Sequence, residues 1–129
     1  MIFDARSYLG SWPYWKVREA SAEALVNLMD HFGIRSSTIC SLRSIFYDHT
    51  EGNKEIVEAL RNYPDRFVGI STIYPPNAES IDQFKLCVER FGMKGLELQP
   101  NYHGYALASP LIDPFLEVCL LYTSPSPRD

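Results

Sequence analysis

The strongest constraint on the fold of this chain is a pattern of strand, loop and helix that repeats four times. Short apolar runs near Ile2, Ile34, Phe67 and Leu96 predict strands. After each strand and its loop, apolar residues recur at helical spacing, which predicts helices near positions 21–33, 56–64, 81–92 and 110–119. Alternation of this kind requires parallel strands joined by right-handed helical crossovers.

Capping and helix-breaking residues mark where these helices begin and end. Ser21 is placed to N-cap the first helix, whose apolar stripe we expect at Leu25, Leu28, Met29 and Phe32. Gly33 is typical of a helix end, as is Gly92 after the third helix. Pro64 ends the second helix because proline cannot continue one.

Four such units fit either a small open doubly wound sheet or half of an eight-stranded barrel. The glycine-rich fingerprint of a dinucleotide site is missing, because the segment 8–13 has one glycine and a bulky Trp12. A phosphate-binding GxxxxGK[ST] loop is also missing. We therefore favour α/β architecture of the (β/α)8 type, with about the first four units present as a partial barrel.

Composition and charge narrow the range of partners and compartments. The net charge of −4 and the pI near 5.3 argue against nucleic acid, which needs a basic surface. No apolar run is long enough for a membrane span, and no signal peptide is expected at the start of the sequence. Cys40, Cys87 and Cys119 lie far apart in apolar runs, as reduced thiols of a cytoplasmic protein do.

The segment from Gly92 to Tyr105 has the pattern of an active-site strand. Leu96 and Leu98 alternate with Glu97 and Gln99, and the strand leads through Pro100 into a polar, aromatic loop. Because side chains alternate across a strand, Glu97 and Gln99 are predicted to face the barrel interior. Active sites of parallel α/β folds lie where such strands end.

Three motifs resemble the amidohydrolase-related family, the decarboxylase-like branch of the metal-dependent hydrolases. Asp4-x-Arg6-x-Tyr8-Leu9-Gly10 resembles that family's Asp-x-His-x-His-Leu-Gly start. Asn53 and the run Pro64-Asp-Arg-Phe-Val-Gly69 resemble its second helix and third strand. Gly92-x-Lys-Gly-Leu-x-Leu-Gln-Pro100 resembles its Gly-x-Lys-Gly-Ile-x-Leu-His-Pro segment, so the likeness covers residues 1–118.

The resemblance implies a (β/α)8 barrel with a divalent metal, zinc or manganese, at the carboxyl ends of the strands. It also implies hydrolysis or non-oxidative decarboxylation of a small carboxylated or cyclic substrate. Here Arg6 and Tyr8 replace the two metal-binding histidines of the first strand, and Gln99 replaces the histidine of the fourth. No metal ligand remains at the aligned positions, and we predict none in this chain.

The last ten residues differ in pattern from the rest. Leu120-Leu-Tyr-Thr-Ser-Pro-Ser-Pro-Arg-Asp129 resembles a translated sequencing adapter and carries two prolines that exclude a continuous helix. We therefore predict one domain over residues 1–119, the N-terminal half of the barrel, and a non-native or disordered tail over 120–129.

Arg6 is the most informative of the replacements. A guanidinium is always charged and cannot ligate a metal, so we predict that Arg6 stands where the positive charge of the metal would be. By the resemblance Asp4, Arg6 and Tyr8 all face inward, and the partner of Arg6 is predicted to be Glu97 or Asp4. The alternative is an Arg6 that lies along the surface of an incomplete barrel.

Other candidate residues follow the strands. His103, in the loop after the fourth strand, is placed as a general acid or base together with Glu97, and His49 follows the second strand. Predicted substrate-binding residues are Arg6, Tyr8, Trp12, Arg43, Gln99 and Asn101. Trp12, Tyr14 and Trp15 form either an aromatic wall for a ring-bearing or sugar-like substrate or core packing beneath their loop. Arg43 binds a substrate carboxylate or is an ordinary surface residue.

Three functions remain open. In the first, the parent protein is an enzyme of the amidohydrolase-related type acting on a small molecule. In the second, it is a metal-free barrel homologue that serves as a binding or structural protein. In the third, which requires the last ten residues to be genuine, the chain is an open α/β binding domain of four strands. Half a barrel leaves two sheet edges unpaired, so we expect this chain by itself to be inactive and to form homo-oligomers.

Overall fold

The computed structural model describes residues 1–16 and 20–122, and its centre is a four-stranded parallel sheet. The strands are β1 (Ile2–Leu9), β2 (Ile34–Ser41), β3 (Phe67–Thr72) and β4 (Gly95–Glu97). They lie side by side in chain order, and every neighbouring pair is parallel. The predicted strands and their parallel pairing are confirmed.

Six α-helices accompany the sheet within the described residues. They are α1 (Ala22–Phe32), α2 (Leu42–Phe46), α3 (His49–Asn62), α4 (Ser80–Glu89), α5 (Pro100–His103) and α6 (Asp113–Tyr122), with a 3₁₀ turn at Pro110–Ile112. Ser21 caps α1 as predicted, since its side chain accepts a hydrogen bond from the Ala24 backbone N–H. Gly33 ends the same helix in the left-handed conformation, at φ 69°.

The longer helices pack on one face of the sheet. Side chains of α1, α3 and α4 share a core cluster with Leu9, Ile39 and Phe67 from the strands. Phe84 of α4 and Phe115 of α6 form a second cluster, against which Leu96 and Leu98 pack. Sequential strand order with helices on one face is barrel geometry, whereas a doubly wound sheet reverses its order. The partial (β/α)8 barrel is therefore the observed fold.

Several predicted details were wrong. Val26 and Met29 carry the buried face of α1, whereas Leu28 and Phe32 are more than half exposed. The short helix α2 lies before the predicted loop around positions 46–52 and ends at Phe46, and α3 already begins at His49. The reason is a local cap: the Asp48 carboxylate accepts hydrogen bonds from the backbone N–H groups of Thr50 and Glu51.

Asp4 does not face the barrel interior as expected. A register shift in β1 places three residue steps, from Asp4 to Ser7, opposite two steps of β2, from Ser37 to Ile39. Such a bulge reverses the alternation of side chains. The Asp4 carboxylate accepts hydrogen bonds from Ser7 Oγ and Ser37 Oγ, and Ile39, two residues beyond Ser37, packs in the helix-side core.

Asn53 ties the end of β3 to helix α3. It is 1% exposed, its Nδ2 donates to the Thr72 carbonyl at 2.8 Å, and its Oδ1 accepts from the Thr72 N–H at 3.1 Å. Both backbone groups of Thr72 are thus satisfied by one side chain. These two hydrogen bonds hold the carboxyl end of β3 in place against helix α3.

The end of the described chain bears on the predicted domain boundary. Helix α6 continues through Leu120 and Leu121 to Tyr122, so three residues of the predicted tail are helical. Residues 123–129 lie outside the described residues, and the division at 119 stays a prediction. The longest helix in the described ranges has 14 residues, and none has the length and apolarity that crossing a membrane requires.

Candidate functional site

An ion pair between Arg6 and Glu97 joins the first and fourth strands of the sheet. One Nη2–H of Arg6 donates to Glu97 Oε1, and the side chains are 53% and 10% exposed respectively. Three interstrand spacings would separate β1 from β4 by about 14 Å in a flat sheet. The pair can form because the sheet curves toward its inner face, as a barrel wall does. Of the two predicted partners, Glu97 is the correct one.

Tyr8 and Gln99 complete the cluster around this pair. Arg6 Nε donates to the Tyr8 hydroxyl at 2.5 Å, and Gln99 Nε2 donates to the same Glu97 Oε1. Burial opposes the charge on Arg6, but the Tyr8 hydrogen bond and the Glu97 carboxylate raise its pKa. We call Arg6, Tyr8, Glu97 and Gln99 the Arg6 cluster. It holds one positive and one negative charge.

Cys40 and Thr72 lie beside the Arg6 cluster on the middle strands. Cys40 is the register partner of Tyr8, and burial, followed by the nearby Glu97 carboxylate, raises the pKa of its thiol to about 12. Thr72 is the register partner of Glu97, and its fully buried hydroxyl has no hydrogen-bond partner within the described ranges. The thiol therefore stays protonated near neutral pH, while Thr72 offers an unused hydroxyl.

A row of aromatic rings continues from the Arg6 cluster across the carboxyl ends of the strands. Tyr8 contacts Trp12 and Trp12 contacts Phe46, both at 5.8 Å between ring centroids, and Phe46 contacts Tyr102 at 4.7 Å. Tyr14 contacts Phe46 at 5.7 Å from the solvent side. We call Tyr8, Trp12, Phe46 and Tyr102 the aromatic row. Tilted and edge-to-face contacts of this kind are favourable and leave ring faces available to a ligand.

The predicted aromatic loop does not form a core. Tyr14 and Trp15 are 71% and 74% exposed, so packing beneath their loop is excluded for both. Trp12 is partly covered, at 37% exposure, through its contacts with Tyr8 and Phe46.

The divalent metal that the resemblance implies does not fit these side chains. The Arg6 guanidinium has no lone pair to give, and it pairs with the Glu97 carboxylate through a hydrogen bond to Oε1. Over residues 1–16 and 20–122, no group of three or more His, Cys, Asp and Glu is arranged to hold a metal.

His103 lies in the short helix α5 and not in a loop as predicted, because the chain turns at Pro100 and the left-handed Gly104 ends the turn. Its Nε2 donates to the Ile45 carbonyl at 2.7 Å, and its ring meets the ring of Tyr74 at 5.2 Å. Its Nδ1 is buried without a hydrogen-bond partner among the residues described. These contacts attach α5 to α2, and a role in acid–base chemistry stays a prediction.

Arg43 and Asn101 lie apart from the contacts of the Arg6 cluster. Arg43 pairs with Glu55 of α3 at 3.0 Å, and it lines a cleft with Tyr47, Asp48 and Glu51. Asn101 is exposed on α5. Their predicted contacts with a substrate stay predictions, whereas the structure brings Arg6, Tyr8, Trp12, Glu97 and Gln99 together.

Three residues of this region escaped sequence reasoning: Phe46, Tyr102 and Thr72. Phe46 and Tyr102 each follow a strand within a few residues, in the short helices α2 and α5 that the sequence pattern did not reveal. Thr72 was the last polar residue of a strand, at the position where a parallel sheet places site residues. That position was the available signal.

Comparison with known proteins gives one curated relative. The chain is 28% identical over 68 residues to 2-amino-3-carboxymuconate-6-semialdehyde decarboxylase of Dictyostelium discoideum, which is 52% of this chain and 19% of that protein. No model of a known protein family matches the chain.

Solved structures match over almost the whole chain. One is 5-carboxyvanillate decarboxylase from Novosphingobium aromaticivorans with bound manganese and 3-methoxy-4-hydroxy-5-nitrobenzoic acid, at TM-score 0.76, 16% identity, and 97% of this chain. Another is a protein from Staphylococcus aureus described as a putative amidohydrolase, at TM-score 0.76, 14% identity, and 94% of this chain. The chain spans 49% and 44% of these two structures, about half of each. The resemblance to amidohydrolase-type barrels is thus confirmed, and at these identities it shows the fold.

Proposed function

We propose that this chain is the first half of an amidohydrolase-type barrel protein whose site binds a small carboxylated, ring-bearing molecule. The observation that carries the proposal is that Tyr8 joins the cation to the aromatic rings. Its hydroxyl accepts a hydrogen bond from the Arg6 guanidinium, and its ring is the first of the aromatic row. One ligand therefore meets a cation and an aromatic surface side by side. For the intact parent we propose hydrolysis or non-oxidative decarboxylation of such a ligand.

Each part of the site has a chemical task in this proposal. Arg6 binds the ligand carboxylate, since a guanidinium matches a carboxylate in shape and charge. The aromatic row contacts the ring of the ligand and excludes water from that side. Glu97 and Gln99 hold the guanidinium in place through the shared Oε1. The 5-carboxyvanillate decarboxylase structure, with its substituted benzoic acid, supports a ligand of this chemical class.

A second candidate function is a binding protein without catalysis. It is supported by the protonated Cys40 thiol and by a carboxylate, Glu97, that is engaged by two donors. Neither group is free to act as a nucleophile or base. A barrel of this kind would bind and release the same ligand unchanged.

The assembly and compartment of the protein are also proposed. In the described part of the chain β1 and β4 each pair with one strand, so each has an edge on which a second copy or further chain could add. We propose a homo-oligomer on that basis. The buried thiols of Cys40 and Cys87 support a reducing, cytoplasmic location.

Ligand binding by the 129-residue chain tests the site proposal. Calorimetric titration should show that benzoate binds and that benzamide, its uncharged analogue, binds at least tenfold more weakly. Phe46→Ala should weaken benzoate binding, whereas Leu116→Ala, at an exposed site on α6, should not. Equal affinity for benzoate and benzamide, or none for either, would overturn the proposal.

Carbon NMR separates the two candidate functions. The full-length parent is incubated with 4-hydroxybenzoate labelled in its carboxylate. Loss of the carboxylate signal with appearance of labelled bicarbonate identifies a decarboxylase. An unchanged spectrum together with demonstrated binding excludes decarboxylation of this ligand and favours the binding protein.

A further inference from the structure

We propose that the Arg6 guanidinium replaces a divalent metal in this site, so that the chain binds a carboxylate without any metal ion. The inference rests on the proposed function, since it takes a carboxylate ligand as given. It concerns a feature in which the chain departs from its structural neighbour, which carries manganese. Arg6 and Tyr8 stand where the family that the sequence resembles has two metal-binding histidines, and here Arg6 Nε donates a hydrogen bond to the Tyr8 hydroxyl.

The guanidinium is held firmly while part of it remains available. Arg6 has five N–H groups. The Nε–H donates to the Tyr8 hydroxyl and one Nη2–H donates to Glu97. Three N–H groups then remain to bind a ligand. The side chain is 53% exposed, so a ligand can reach it. Two parallel N–H donors suffice for a bidentate contact with a carboxylate.

Glu97 acts as a positioning residue for this cation. Its side chain is 10% exposed, and its Oε1 accepts from both Arg6 and Gln99. A carboxylate so placed orients the guanidinium, and it also competes with an incoming anion for the same positive charge. Removing its charge while keeping its oxygen should therefore tighten anion binding.

The charged groups described around the Arg6 cluster disfavour the binding of a divalent ion. Burial raises the pKa of both Tyr8 and Cys40, so both stay neutral near pH 7. The Asp4 carboxylate accepts hydrogen bonds from the backbone N–H of Arg6 and from the hydroxyls of Ser7 and Ser37, on the helix side of β1. A metal would meet one carboxylate, already paired, and a guanidinium that repels it. The same guanidinium attracts a carboxylate.

The first experiment follows benzoate binding by the 129-residue chain in EDTA and then in excess MnCl2. Affinity should be the same in both. Arg6→Lys should weaken it about tenfold because the planar fork of donors is lost, and Arg6→Ala should abolish it. Arg61→Ala, at an exposed arginine on α3, is the matched control and should bind as the unaltered chain does. Circular dichroism confirms that each variant is folded.

The second experiment uses Glu97→Gln, for which the two accounts predict opposite signs. If Arg6 supplies the charge, benzoate should bind several-fold more tightly, and Mn²⁺ should not bind to either chain. If Glu97 were a metal ligand, the variant would lose both Mn²⁺ and benzoate. Stoichiometric Mn²⁺ binding, or benzoate binding that requires Mn²⁺, would overturn the inference and leave the proposed function standing. Absence of benzoate binding under every condition would overturn both.

Discussion

Arg6 and Glu97 form an ion pair that spans the inner face of the sheet from its first strand to its fourth, across 91 positions of the chain. A second arginine–glutamate pair, Arg43–Glu55, lies on the helix side. The two arginines are equally exposed, at 53% and 54%, but the glutamates differ, at 10% and 37%. The two ion pairs therefore allow the stability contribution of a half-buried pair to be compared with that of a surface pair in the same protein.

Removing the arginine from each pair should have unequal costs. Arg6→Ala leaves the Glu97 carboxylate nearly buried without its partner, and we expect a loss of about 1–3 kcal/mol in the free energy of unfolding. Arg43→Ala leaves a solvated Glu55, and the expected loss is below about 1 kcal/mol. Urea denaturation of both variants measures the difference. Equal losses would show that the Arg6–Glu97 pair is as well solvated as the surface pair.

Asn53 should be among the most sensitive polar positions of the fold. Asn53→Ala leaves both backbone groups of Thr72 buried without their partners, for an expected loss of about 2–4 kcal/mol. Asn62→Ala, an exposed position at the end of the same helix, is the control and should change stability by less than about 0.5 kcal/mol. Thermal unfolding of the two variants checks this. Similar melting temperatures would contradict the role of Asn53 in holding β3.

Gly52→Ala should destabilise the protein even though alanine favours helices. Within α3 the change would gain up to about 1 kcal/mol in helix propensity. The added Cβ, however, would lie 2.1 Å from Ser44 Oγ and 2.3 Å from the Ser44 backbone nitrogen, so α2 and α3 must separate. We expect a net loss of more than about 2 kcal/mol. Thr50→Ala, in the first turn of the same helix, is the control, and a stabilised Gly52→Ala would refute the close packing.

His49 should make stability depend on pH between neutral and mildly acidic conditions. Burial lowers its pKa below 6.5, with His103 adding to the effect and Asp48 and Glu79 opposing it. The folded state therefore favours the neutral ring. Its contribution is present above the unfolded pKa and is lost as the pH falls through 6.5 toward the lower folded value. Denaturation at pH 7.5 and 5.5 should show a smaller decrease in His49→Gln than in the unaltered chain. His31→Gln, at an exposed histidine, should retain the full decrease.

The sequence predicted most of the fold because its signals were local. Ser21 and Gly33 mark the two ends of α1, because both residue types favour helix caps. The alternation around Leu96 assigned the two faces of β4 correctly. The short helices were missed because helices of four and five residues carry no measurable period. The predicted face of Asp4 was wrong because a register shift depends on the pairing of two strands. It cannot be recognised in the sequence of one strand alone.

Prediction of the site was limited in a similar way. Arg6 was expected to pair with Glu97 or Asp4, because the family resemblance placed Arg6 and Asp4 inward and the alternation along β4 placed Glu97 inward. Of the aromatic row, the sequence predicted Trp12 as part of an aromatic wall and Tyr8 as a substrate-binding residue. Phe46 and Tyr102 were missed because they join the row through the turns of α2 and α5. Contacts between loops at the same sheet edge require the three-dimensional arrangement.

The most direct test of the central claim is a crystal structure of the protein grown with benzoate and MnCl2, with anomalous diffraction recorded at the manganese edge. The account predicts a benzoate carboxylate within hydrogen-bond distance of the Arg6 guanidinium, with its ring against the aromatic row. It also predicts no anomalous peak at the carboxyl ends of β1 and β4. A manganese peak coordinated by Glu97, with Arg6 displaced from it, would contradict the account.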